Sequence, residues 1–297
     1  MDRYAVIGQP IGHSRSPAIH DRFARQTGQD LCYEALEVSD ADLQAHVASL
    51  HQQGFSGLNV TLPHKQAVAE LCLSVSPRAQ QAGAVNTLLR AEGGWIGDST
   101  GGEGLIADLA RLGIDIGSRR VLVLGAGGAV RGILAPLLAL RPACLAVSNR
   151  NPWKPEALAE AFKSLGPVLP RTHLALKGEV YDVIINATSA GHSGAMPRLP
   201  GGLLASGGDA YDLSYGPAHA PFAAWAALQS ASRVEDGLGM LVEQAAAAFE
   251  LWRGVRPETT AVVVALRRQL QTGTDADEVV PGHQSPRRSH VELPPQD

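Results

Sequence analysis

A chain of 297 residues, 45% of them hydrophobic, carries enough apolar material for two compact domains rather than one. A net charge of −4 argues against a nucleic-acid backbone or an anionic membrane as partner and for a small-molecule substrate. Cys32, Cys72 and Cys144 are widely spaced with no C-x-x-C pair, which argues against a disulfide framework and for a reduced compartment. No run reaches the roughly 18 apolar residues of a membrane span, and the chain enters YAVIG without a leader-like stretch. A cytoplasmic protein is expected.

Short β-type runs at 4–8, 33–38, 58–61 and 85–90 alternate with amphipathic helical stretches, the signature of an α/β fold. In SPAIHDRFARQTG, Ser16 suits an N-cap, Pro17 the first turn, Ile19 and Phe23 one face, and Gly28 the end. A second helix is expected from about Asp40, with Leu43, Val47 and Leu50 on one side and an end near Gly54. A third is expected from about Leu105, with Leu109 and Leu112 on its face.

RRVLVLGAGGAVRGILAPLLAL then reads as a strand buried on both faces, a tight glycine turn and a helix beginning near Gly128. Backbone N–H groups of Gly125, Ala126, Gly127, Gly128 and Ala129 at such a helix start can meet a dinucleotide diphosphate that side chains would obstruct. The spacing is shorter than the full G-x-G-x-x-G, so a simple strand-to-helix turn stays open as the alternative. The next strand, CLAVSNR, ends in Asn149 and Arg150, with Lys154 following and no carboxylate at its tip. That pattern accommodates the 2′-phosphate of NADP rather than the ribose hydroxyl of NAD. YDVIINATSAG and GDAYDLSYG continue the sheet and bring Asn186, Thr188 and Asp212 to its carboxyl edge, where open α/β sheets bind ligands.

The series GHSRSP, NVTLPHK, AGAVNT, GAGGAVR, SNR, INATS and DGLGMLVEQAA resembles the shikimate dehydrogenase family, in order and spacing, from Arg3 to about Leu270. Members interconvert 3-dehydroshikimate and shikimate with NADP. The resemblance implies an N-terminal α/β substrate domain (1–101, completed by 237–270) and a Rossmann-like NADP-binding domain with a parallel sheet (102–236). It also implies that Ser14 and Ser16 hold the substrate carboxylate, although helix capping explains two serines before a helix equally well. Asn59, Thr61, Asn86 and Gln244 would bond the ring hydroxyls, and Tyr215 would lie over the substrate region. Leu213, Gly237 and Met240 would line the nicotinamide pocket. Lys65 would be catalytic, protonating the alkoxide formed when hydride reaches the ketone carbon.

One departure stands out in GDSTGGEG. The family typically carries a second Asp, paired with the catalytic lysine, where this chain has Gly101. Asp98 matches the other, non-catalytic Asp, and Glu103 lies two helical positions from Gly101, about 200° around the helix. Reduced turnover is expected, with a quinate-type paralogue or a non-catalytic binder of NADP and shikimate as alternatives. The ten histidines form no metal-ligand pattern, so no metal is expected, and His64 reads as a packing group. A monomer or homodimer is expected. The polar, Pro-rich stretch 271–297 is expected to be disordered.

Overall fold

The computed structural model describes residues 1–272, so the expectation of a disordered tail falls almost wholly outside the described residues. Two six-stranded sheets form along the chain. The first contains β1 (Asp2–Gly8), β2 (Leu31–Glu37), β3 (Gly57–Val60), β4 (Ser74–Val75), β5 (Thr87–Ala91) and β6 (Gly94–Asp98). Its order is β2-β1-β3-β5-β6-β4, parallel around β1 and antiparallel where β5 pairs with β3 and β6. The helices α1 (Ser16–Thr27), α2 (Leu43–Gln52) and α3 (Pro77–Ala82) belong to this part of the chain.

The second sheet comprises β7 (Arg120–Leu124), β8 (Cys144–Asn149), β9 (Leu169–Thr172), β10 (Tyr181–Asn186), β11 (Leu204–Asp212) and β12 (Arg233–Glu235). Every pair in it is parallel, and the order β12-β11-β10-β7-β8-β9 is the doubly wound arrangement. Its direction of winding reverses between β7 and β10, which opens a crevice at the carboxyl ends of those strands. The helices α4 (Gly101–Leu112), α5 (Gly128–Ala139), α6 (Trp153–Phe162) and α7 (Ala220–Leu228) accompany it. They are followed by α8 (Leu238–Arg253) and α9 (Thr260–Thr272).

Val121 to Leu124 are wholly buried because apolar clusters cover both faces of β7: Val121 and Val123 face α4 and α5, while Leu122 and Leu124 face Phe222 and Ala226 of α7. In the first sheet, Leu43, Val47 and Leu50 of α2 bury against Leu58 and Leu88, as their spacing requires. Ile19 and Phe23 of α1 join Leu238, Val242 and Phe249 of α8, so the final helices close the N-terminal half.

Three local expectations are corrected. Ser16 is the first helical residue of α1, not its N-cap; Arg15 is the cap residue, and the Ser14 hydroxyl accepts from the Ser16 amide at 3.3 Å. The helix expected from about Leu105 begins four residues earlier, at Gly101, because Gly102 and Gly104 pack closely against α5 and α8. The one expected from about Asp40 starts at Leu43, since the Ser39 hydroxyl bonds the Asp42 carboxylate in a turn before it.

α4 lies between the two halves. A Cβ on Gly102 would fall 2.6 Å from the Gly132 carbonyl oxygen of α5 and 2.6 Å from the Pro136 ring. One on Gly104 would fall 2.7 Å from the Gln244 amide nitrogen of α8. Backbone atoms cannot move aside as a flexible side chain can, so a methyl group at either position must push a helix away. We therefore expect Gly102→Ala to lose about 1–2 kcal/mol despite the better helix propensity of alanine, a fall of several degrees in Tm. Thermal unfolding followed by circular dichroism checks this, and an unchanged or raised Tm contradicts it.

Candidate active site

The loops after β1 and β3, the start of β5, the first turn of α4 and the middle of α8 each bring polar groups to one region. Asn86 is its hub. Its Nδ2 donates to Thr100 Oγ1 and to Gln244 Oε1, both at 3.2 Å, while its Oδ1 accepts from the Thr87 hydroxyl and the Thr100 amide, both at 2.9 Å. The antiparallel register Thr87↔Asp98 sets Asn86 beside the turn into α4, and the close contact at Gly104 brings α8 near enough for Gln244. Asn59 on β3 is similarly engaged: Nδ2 donates to the Asn86 carbonyl and Thr87 Oγ1, and Oδ1 accepts from the Tyr33 hydroxyl at 2.7 Å. The Thr61 hydroxyl and Gln244 Nε2 have no protein partner among the described residues.

Lys65 follows the turn that leaves β3, and its carbonyl accepts from the Val85 amide at 2.8 Å. It is half-buried, and its amine has no hydrogen-bond or ion-pair partner among the described residues. Burial pushes its pKa below the ordinary lysine value, and no carboxylate opposes that shift. Next to it, His64 is wholly buried and bonds the Val38 carbonyl through Nε2 at 2.7 Å. Its Nδ1 lies 3.1 Å from Asp40 Oδ1 but without hydrogen-bond geometry, so His64 is a packing group as expected.

Gly101 opens α4 with open space on its side-chain side. A Cβ there would have only Gln244 Oε1 at 3.8 Å and Asn86 Nδ2 at 4.0 Å within reach, both ordinary contacts. The neighbouring acids are committed elsewhere. Asp98 is buried and takes two bonds from the Arg78 guanidinium, each 2.7 Å, with a third from the Ser99 amide. Burial alone would raise its carboxyl, but the bonds from Arg78, Ser76 and Ser99 outweigh this and hold it below the usual carboxylate range. Glu103 bonds Arg78 at 2.6 Å and Arg256 at 2.7 Å, away from Gly101.

On the other half, Gly125 follows β7 with φ +109°, and a Cβ there would strike the Ala187 carbonyl at 2.9 Å, so the turn demands glycine. Gly127 and Gly128 differ: nothing stands within 4 Å of a Cβ at either, and with Ala129 they are exposed at the start of α5. No neighbour within the protein requires glycine there, whereas a diphosphate lying on the helix start does. The half-buried Ala126 packs at the edge of the adjacent core. Arg150 is exposed and has no ion-pair partner among the described residues, and Lys154 lies over the Trp153 ring, 5.4 Å from its centroid. Asn149 Oδ1 accepts from the Asn151 amide at 2.9 Å, which shapes the turn beneath them.

The pattern of the shikimate dehydrogenase substrate binding domain matches residues 6–88, that of shikimate/quinate 5-dehydrogenase residues 108–194, and that of the shikimate 5′-dehydrogenase C-terminal domain residues 237–267. A protein of Aromatoleum aromaticum named shikimate dehydrogenase (NADP(+)) is 52% identical over 277 residues, spanning 92% of this chain and 99% of the relative. The chain belongs to the shikimate dehydrogenase family. Its fold is also that of the Thermus thermophilus shikimate 5-dehydrogenase solved in complex with NADP(H) and shikimate, with a TM-score of 0.80, 36% identity and coverage of 90% of this chain and 99% of that one. The Ael1 enzyme of Pseudomonas putida superposes with a TM-score of 0.83 at 42% identity, over 90% of this chain and 98% of that one.

Against the family expectations, the geometry brings Asn59, Asn86, Gln244 and Gly101 together in one hydrogen-bonded region. Asn186 is a structural tie as well as an edge residue: it is buried, bonds Asp212 Oδ1 at 3.0 Å and receives the Thr188 hydroxyl at 2.8 Å. Gly237 admits the Leu213 carbonyl, 2.2 Å from where its Cβ would be, and Met240 and Leu213 pack at the edge of the adjacent core. Tyr215 joins the cluster of Ile19 and Leu238, which ties the loop after β11 to α1. Sequence reading passed over Tyr33, His20 and Arg15. The ring of His20 stacks on Tyr33 at 4.1 Å and 5°, and the half-buried Arg15 has no ion-pair partner among the described residues. Arg15 stands inside the GHSRSP motif, so an unpaired cation between two serines was a readable signal.

Asp98 contributes stability above its unfolded pKa, and that contribution is lost as pH falls through its depressed folded pKa. Asp98→Asn is therefore expected to lower Tm by several degrees at neutral pH, with the gap to the parent protein closing in acid. Melting curves taken from neutral to acid pH check this; a gap that stays constant contradicts it.

Proposed function

We propose that this protein reduces 3-dehydroshikimate to shikimate with NADPH, at a turnover held down by Gly101. The observation that carries this reading is the half-buried, unpartnered Lys65 amine in a chain whose family performs this reaction. We assign residues 1–101 and 237–270 to substrate binding and 102–236 to the cofactor. Gly125, Ala126, Gly127, Gly128 and Ala129 would hold the diphosphate, and Arg150 and Lys154 the 2′-phosphate, with Asn149 shaping that turn. Asn186, Thr188, Leu213, Gly237 and Met240 would border the nicotinamide. Both ligand sets come from one chain, so a monomer or a homodimer suffices. Its free cysteines fit a reduced cytoplasm.

NADPH, when bound, supplies hydride to the ketone carbon. Ser14 and Ser16 hold the carboxylate, and Thr61 and Gln244 offer the hydrogen-bonding groups that no protein partner occupies. Lys65 Nζ, protonated, donates its proton to the oxygen as negative charge develops there. Reduction therefore needs the charged amine and falls as pH rises through the Lys65 pKa. Burial lowers that pKa, so the fall comes at lower pH than it would with an acid nearby. An aspartate at position 101 opposes the shift and supplies an acceptor beside Asn86 Nδ2. It also stands in the first turn of α4, where negative charge is favoured.

Gly101→Asp is thus expected to raise the turnover of dehydroshikimate reduction by about tenfold or more, and to move the alkaline limb of the pH profile upward. NADPH consumption across neutral to alkaline pH reads both quantities. Equal rates and coincident limbs reject the role given to Gly101. Binding of both ligands with no hydride transfer in either protein selects the non-catalytic alternative, and a higher kcat/KM with quinate in the reverse direction selects the paralogue.

The cofactor assignment has its own test. Gly127→Ala meets no protein atom within 4 Å, so Tm is expected to stay within a degree or two while NADPH affinity falls by about tenfold. Calorimetric titration beside a melting curve separates the two effects, and undiminished affinity removes Gly127 from the site.

A further inference from the structure

The geometry points to Tyr33 as a positioning residue for the substrate, holding Asn59 in place. This rests on the function proposed above. Tyr33 lies on β2 and Asn59 on β3, with β1 between them: Val6 faces Ala35 on one side and Asn59 on the other, so Tyr33 sits two residues before the position level with Asn59. The phenol spans β1 diagonally and donates to Asn59 Oδ1 at 2.7 Å.

The direction of each bond follows from chemistry. The Asn86 carbonyl can only accept, so Asn59 must turn Nδ2 toward it, where the distance is 3.2 Å. Asn59 Oδ1 then faces β2 and can only accept, so Tyr33 must be the donor. The phenol proton is thereby committed to Asn59. With both Nδ2 hydrogens used on the Asn86 carbonyl and Thr87 Oγ1, Asn59 can meet a ligand only through the second lone pair of Oδ1. It reads a hydroxyl group that donates. One side chain outside the ligand-contacting set therefore holds Asn59 in the orientation the proposed site needs.

The Tyr33 ring is held independently of its hydroxyl. His20 stacks on it at 4.1 Å, and burial keeps that imidazole neutral, with a pKa of about 3. Tyr33→Phe accordingly keeps the packing and removes only the donor. Shikimate affinity, read by titration of the intact protein, is expected to fall about fivefold, with NADPH affinity unchanged and Tm within a few degrees of the parent. In an Asn59→Ala background the same change is expected to alter shikimate affinity less than twofold, because the residue it positions is gone. Tyr33→Leu lacks the same donor and carries the same expectation where the Phe variant does not fold. Unchanged shikimate affinity overturns the inference, as does an equal loss in both backgrounds or a parallel loss of NADPH. Failure of the parent protein to bind shikimate instead overturns the proposed function, and this inference with it.

Discussion

The architecture depends on how closely α4 can be approached. Two glycines a single residue apart, Gly102 and Gly104, let α5 and α8 come to backbone contact on either side of the same helix. α5 carries the glycine turn of the second sheet and α8 carries Gln244, so separating them from α4 would part the glycine turn from the amide cluster around Asn86. The glycines lose helix propensity, but they remove the side chains that would hold the two halves apart.

Charge around this junction is nearly self-contained. Arg78 joins Asp98 to Glu103, and Arg256 joins Glu103 to Glu243 and Glu250, which ties α3, α4 and α8 into one network. Each nearby acid thus has a guanidinium partner, and Lys65 has none. A Cβ at position 101 would meet only Gln244 Oε1 and Asn86 Nδ2 within 4 Å, neither of them part of this ion-pair network.

The sequence made the architecture legible where a single pattern determined a single outcome. Val121 to Leu124 read as a strand covered on both faces and is one; GAGG read as the turn into a helix at Gly128, and α5 starts there. Short strands with weak patterns, Ser74–Val75 and Leu169–Thr172, were not readable, because pairing with longer neighbours rather than their own composition makes them strands. The start of α4 was misread because glycine disfavours helix locally, and only the packing against α5 and α8 reverses that. Ser16 looked like a cap because its type fits one; the backbone gave that role to Arg15 and used the hydroxyl of Ser14 instead. Lys65 and Gly101 were legible through motif position. Tyr33 was not, since a tyrosine in a strand-like run carries no sign of what lies two strands away.

α8 also carries Trp252, whose indole nitrogen bonds the Leu88 carbonyl at 3.0 Å and whose ring occupies the side-chain space of Gly57. Strands from the first hundred residues are thus finished by a helix from the last sixty. During synthesis the ribosome must deliver the entire second sheet before the amide of Asn86, the carbonyl of Leu88 and the bare face of Gly57 find their native partners. The N-terminal half must therefore wait, incomplete, for the end of its own chain.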